Sequence, residues 1–229
     1  MDFSSIARQI IISAFPILIA ITFHELSHGF VAYRLGDPTA KMMGRLTLNP
    51  IAHIDPIGTI LMPLMLLIFT NGQFVFGYAK PVPINPMNFK NPKRDMAISA
   101  AAGPVTNIIL AILSALILHF LLNPLLNFLP GYISNIVILP LLMIFTYSAL
   151  VNIVLACFNM IPIPPLDGGR VLTGLLPYKQ AVSFSKIEPF GFLIVILLIV
   201  TNIANYFIVP FIFLFVNLLQ LKYFLALLH

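Results

Sequence analysis

Long apolar runs separated by short polar stretches dominate the chain. Runs from about Gln9 to Tyr33, Ala97 to Leu122 and Ile133 to Phe158 each reach the roughly 20 residues a helix needs to cross a 30 Å hydrocarbon core. No Asp, Glu, Lys or Arg occurs between Asp95 and Asp167, and Asn123, Pro124, Pro130 and Gly131 mark the turn there, so the last two runs form a hairpin. The charge-free stretch from Glu188 to Lys222 carries Thr201, Asn202, Asn205 and Tyr206 at its middle and reads as two further spans. Ile57 to Thr70 is different. It has only about 14 residues, is bounded by Pro56 and Asn71 and is interrupted by Pro63, which suits a re-entrant helix. Gln73 to Val82 places aromatics at Phe74, Phe76 and Tyr78 before Pro81 and Pro83, a pattern that predicts a short strand or hairpin with a free edge. Asn91 and Pro92 read as the N-cap and first residue of the helix that follows.

The expected fold is therefore an all-α polytopic membrane protein. It has about five transmembrane helices, a short re-entrant helix and a small membrane-associated β-strand or hairpin. Residues 1–229 form one domain, with a core of about 9–176 and a C-terminal helical hairpin of about 187–225. The first run lacks a small-residue cleavage site and is expected to stay in the mature chain.

Composition supports the membrane assignment. The chain is 60% hydrophobic and 8% charged, with a mean hydropathy of +1.03, whereas a water-facing domain needs about a quarter of its residues charged. The net charge of +5 comes from bases scattered between apolar runs, so it indicates no nucleic-acid partner and fits retention at a cytoplasmic membrane face. The single cysteine, Cys157, excludes an internal disulfide framework. With only seven acids in the chain, each one has to be accounted for.

His24-Glu25-Leu26-Ser27-His28 lies inside the first run. On a helix, residues four apart share a face, so both imidazoles can reach one metal ion while Glu25 lies beside it as a base. Ionisable residues at mid-bilayer cost about 2.5–3.5 kcal/mol each on insertion scales, which argues against a chance arrangement. Catalytic zinc usually takes three protein ligands and a water, so a third ligand is required. Asp167 is the best candidate. Pro162, Pro164 and Pro165 break the helix just before it, and broken backbone at membrane depth is tolerated where it lines a polar cavity. Asp55 and His53 are rivals, and Asp167 could instead be an N-cap.

These motifs resemble the site-2 proteases, which are zinc intramembrane metalloproteases. The resemblance rests on His24-Glu25-x-x-His28, Gly103-Pro104-x-x-Asn107 and Asn159-x-x-Pro162-x-x-Pro165-Leu166-Asp167-Gly168, and covers roughly Ile12 to Leu176. Asn49-Pro50-x-x-His53-Ile54-Asp55-Pro56 and Gly77-Tyr-Ala-Lys-Pro-Val-Pro83 are similar to the compact prokaryotic branch, and the length leaves room for neither a PDZ nor a CBS domain. The resemblance implies one Zn2+ held by His24, His28 and Asp167, with Glu25 activating water and Asn107 and Asn159 lining the site. The implied substrate is a transmembrane segment of another membrane protein within the lipid bilayer. Phe74, Val75 and Phe76 are expected to pair with the unwound substrate, and His53 to stand at the mouth of the site. A metal-ion transporter and an inactive membrane scaffold are the alternatives.

Shared ligands also constrain topology. His24 and His28 lie toward the C-terminal end of the first helix, and Asp167 just beyond the end of the fourth segment, so those two helices must run in the same direction. The short second segment then enters and leaves by one face. On that arrangement every Lys and Arg except Arg8 falls on one side, which the positive-inside rule makes cytoplasmic, with the prokaryotic plasma membrane as the expected location.

Overall fold

The computed structural model describes residues 3–69 and 77–228. The long apolar runs become helices α1 (Phe3–Arg34), α2 (Met62–Phe69), α3 (Pro92–Ile117) and α4 (Leu139–Asn159). The shorter α5 (Asp167–Leu175), α6 (Tyr178–Ser185), α7 (Glu188–Val200) and α8 (Ile203–Leu218) follow. α3 is the hub and packs against α1, α4 and α5. Its buried side is small, with Ser99, Ala100, Gly103, Ala111 and Ala115, and this lets neighbouring backbones approach closely. A second apolar cluster built on Leu118, Leu122, Leu142 and Ile153 is closed by Val216, Leu221 and Phe224. His119 belongs to this end of the core: its ring hydrogen-bonds the Leu219 carbonyl and stands edge-on to Phe224.

Among the described residues, three helices are long and apolar enough to cross a membrane: Ile12–Arg34, Pro92–Leu126 and Gly131–Asn159. A fourth is reached if α6 and α7, bent by 68°, count as one span. The C-terminal region is less regular than its apolar run suggests. α7 ends at Val200, Asn202 takes a left-handed conformation (φ 58°), and α8 has only 16 residues, about 24 Å at 1.5 Å per residue. The short second segment is a π-helical turn, Pro56–Leu61, running into α2, and Asp55 accepts hydrogen bonds from the Ile57 and Gly58 amides at its start.

No strand occurs among the described residues, and Gln73 to Phe76 lie outside them. Residues 77–82 pass without regular secondary structure, because their hydrogen bonds go to scattered partners and form no ladder. Tyr78 donates to the Gly58 carbonyl, Lys80 to the His53 carbonyl, and Val82 to a side chain on α1. At the start of α3, Pro92 is the first helical residue as expected, but the Asn91 side chain makes no cap bond. Instead the Asp95 carboxylate, one turn into the helix, accepts the Asn91 backbone N–H at 3.0 Å.

Candidate metal centre

Three buried side chains meet where α1, α3 and the start of α5 converge. His24 and His28 are one turn apart on α1, with rings edge-to-face at 4.6 Å between centroids. Asp167 arrives from the other direction. α4 stops at Asn159, the proline-rich segment turns the chain, and α5 begins at Asp167 itself, with Leu166 and not Asp167 in the N-cap position. The carboxylate points at the imidazoles, with Asp167 Oδ2 3.1 Å from His24 Nε2 and 3.3 Å from His28 Nε2. Gly168 permits this approach, since a Cβ there would run into the Met160 carbonyl group.

The proton positions follow from the surrounding network. Asn107 donates its amide group to Asn152 Oδ1 at 2.7 Å and to the Ala20 carbonyl at 3.3 Å, which leaves Asn107 Oδ1 as the acceptor facing His24 Nδ1 at 2.5 Å. His28 Nδ1 faces the Ser99 carbonyl at 2.7 Å. Both imidazoles therefore donate through Nδ1, and in the neutral ring each Nε2 carries a lone pair. The two Nε2 atoms lie 3.1 Å apart. Asp167 Oδ2 is buried with no hydrogen directed at it, although two nitrogens stand within ion-pair distance. Three inward lone-pair atoms packed this closely repel one another unless a cation lies among them. These atoms all fall within 4.8 Å of each other, as the ligands of one ion would, and two imidazoles with a carboxylate suit zinc.

Gly103 of α3 forms the floor. A Cβ there would lie 2.6 Å from His24 Cε1 and overlap the His28 ring. Glu25, between the two histidines, is half-buried, and its Oε2 accepts the Val82 backbone N–H at 2.8 Å.

The other sequence candidates separate. Asn107 stands behind His24 with both amide hydrogens engaged, so it orients the ring and has no donor left for a substrate oxygen. Asn159, at the C-terminal end of α4, donates its side-chain amide to the Leu155 carbonyl at 3.0 Å. His53 is buried, but its Nε2 faces the Thr47 carbonyl and it is not among the clustered ligand atoms. Asp55 is committed to capping its π-turn. Phe74, Val75 and Phe76 lie outside the described residues. Three contributors have weaker signatures in the sequence. Ser99 precedes Gly103 by four residues and so shares its face of α3. Asn152 is a polar residue in a charge-free run. The Val82 amide has no sequence signal, because a backbone group can be placed only by tertiary structure.

The model of peptidase family M50 matches residues 12–135 and 125–202. The chain belongs to this family. It is 38% identical over 194 residues to the Bacillus subtilis protein named "Putative zinc metalloprotease YwhC", covering 85% of this chain and 82% of that protein. Proteins named Rip2 with the same description, from Mycolicibacterium smegmatis and Mycobacterium tuberculosis, are 30% and 27% identical over 188 residues, each covering 82% of this chain and 66% of its own length. No solved structure matches the chain. The M50 match places a peptidase in a protein with at least three apolar helices of spanning length.

Proposed function

We propose that the chain is a zinc-dependent intramembrane endopeptidase that hydrolyses peptide bonds in or near transmembrane segments of other membrane proteins. Membership of a peptidase family and the zinc metalloprotease descriptions of its relatives support this reading. The observation that carries it is the convergence of His24 Nε2, His28 Nε2 and Asp167 Oδ2 beside Glu25. A peptidase family is evidence against both the transporter and the scaffold.

His24, His28 and Asp167 would hold the zinc ion. Bound zinc supplies Lewis-acid polarisation of the scissile carbonyl and lowers the pKa of water toward 7. Glu25 takes the proton from the attacking water and delivers it to the leaving amine. The Val82 N–H holds Glu25 Oε2 and so fixes the carboxylate. Asn107 and the Ser99 carbonyl keep the ligand rings turned with Nε2 inward. With Asn107 fully engaged, Asn159 is the remaining amide to serve the developing oxyanion.

A substrate helix must unwind before attack, and the free groups of the 73–82 segment, including Phe74, Val75 and Phe76, would pair with it. The topology that goes with this reading has about five spans and a re-entrant α2. The site then faces the cytoplasmic side of a prokaryotic plasma membrane, which the distribution of Lys and Arg supports. Residues 1–229 act as one catalytic domain.

The test is purification in detergent, metal analysis, and cleavage of a transmembrane substrate by wild type and Glu25→Gln. Zinc retained with cleavage lost in the variant is the expected result. Equal cleavage by both proteins would remove Glu25 from the reaction.

A further inference from the structure

A second cavity lies away from the metal cluster. It measures about 440 Å3 and opens between the first turn of α3, α5, α6 and the start of α7. Its wall carries Lys93, Arg170, Tyr178 and Glu188 beside the apolar Met96 and Val182.

Arg170 is half-buried, yet among the described residues its guanidinium has neither an ion-pair nor a hydrogen-bond partner. A guanidinium on a cavity wall with no protein anion beside it leaves its donors to a ligand anion. Glu188, the acid on this wall, is exposed and within ion-pair distance of neither base. The Lys93 ammonium donates to the Leu176 carbonyl, which anchors it on the cavity wall with two further hydrogens to give. The lining thus carries two positive groups and one negative group, a net charge suited to a monoanion. The guanidinium fork matches the oxygens of a phosphate group. The apolar remainder of the wall suits the carbon skeleton attached to one. The cavity also borders the N-terminal end of the span Pro92–Leu126, the level at which lipid head groups lie.

We infer that this cavity binds a phosphate group, anchored by Arg170 and Lys93. The phosphate can arrive as a lipid head group or as a free ion. Arg170 is three residues beyond Asp167 on the same helix, so an occupant tethers α5. The inference stands independently of the zinc assignment, because it concerns binding and is read without peptide cleavage.

The test uses the full chain, delipidated in a neutral detergent, with two probes. Native mass spectrometry follows retention of phosphatidylglycerol, and thermal unfolding follows titration with inorganic phosphate. Wild type is expected to hold one anion at least about tenfold more tightly than Arg170→Gln, the loss typical of one charge-assisted hydrogen bond. Arg170→Lys should recover part of the binding. Lipid retention without a response to phosphate identifies a head-group site, and a response to phosphate alone identifies a free-anion site; both support the inference. If Arg170→Gln does not elute as a folded protein, Lys93→Gln carries the same comparison. Binding of neither probe, or equal binding by wild type and variant, overturns it.

Discussion

Val82 donates its backbone N–H to the carboxylate of Glu25 across 57 residues of sequence, tying the 77–82 segment to the proposed base. Further hydrogen bonds fix the donor. Arg45 holds the Lys80 carbonyl at 2.8 Å, and Thr59 holds the Tyr78 carbonyl at 2.9 Å. Orientation of the base is thus set by a backbone amide of this segment and by no side chain of it.

Removing that amide should lower turnover. Val82→Pro deletes the donor and is expected to reduce kcat by roughly 10- to 100-fold, the range for a hydrogen bond to a charged group, with zinc content unchanged. Val82→Ala keeps the N–H and should retain most of the rate. Equal rates for the two variants would show that the contact does not orient Glu25.

Metal affinity should depend on residues that never touch the ion. Asn107→Ala frees the His24 ring, and the expected cost is about 10- to 100-fold in zinc affinity, measured by competition with a chelator. Asn152→Ala should weaken binding through the same amide, and the double variant should show less than the sum of the two effects. Wild-type affinity in Asn107→Ala would refute the positioning role.

Gly103→Ala should abolish zinc binding. The added methyl group would enter the space of both imidazoles, and α1 cannot retreat without opening its packing on α3. Gly131→Ala meets no atom within 4 Å and serves as the control. Comparable metal content in the two proteins would mean that the histidines can move aside.

Asp37 should make stability depend on acid pH. Its carboxylate is fully buried just beyond α1. Burial alone pushes its pKa up, but hydrogen bonds from Asn88, the Thr39 hydroxyl, and the Asn85 and Thr39 amides outweigh this and hold it below the ordinary value of 3.8. A folded-state pKa below the unfolded one contributes stability above about pH 4, and that contribution is lost as pH falls through the folded value. Asp37→Ala should cost roughly 3 kcal/mol at neutral pH by orphaning several donors, and it should flatten the acid limb of a Tm–pH profile. An unchanged limb would place the acid sensitivity elsewhere.

Much of the membrane core was legible because apolar runs of spanning length and the i, i+4 histidine pair are local patterns. The division of the run after Glu188 at Thr201–Asn202 was legible too, from the polar residues at its middle, but the shortness of the two helices and the left-handed Asn202 were not, because hydropathy registers neither. The expected strand fails over residues 77–82 for a related reason: alternation predicts a pleat, but each amide finds a separate partner.

The sequence alone determined that the chain is a membrane protein and that His24, Glu25 and His28 share one helical neighbourhood, because composition and helical periodicity need no long-range information. Tertiary structure decided which distant groups join them. Asp167 enters the cluster while Asp55 is taken up by a turn, Asn107 turns away from the substrate side to brace His24, and the Val82 amide reaches Glu25. Each of these depends on where a separate helix or loop comes to rest, and that is set by the close packing of α1, α3 and α5 around Gly103.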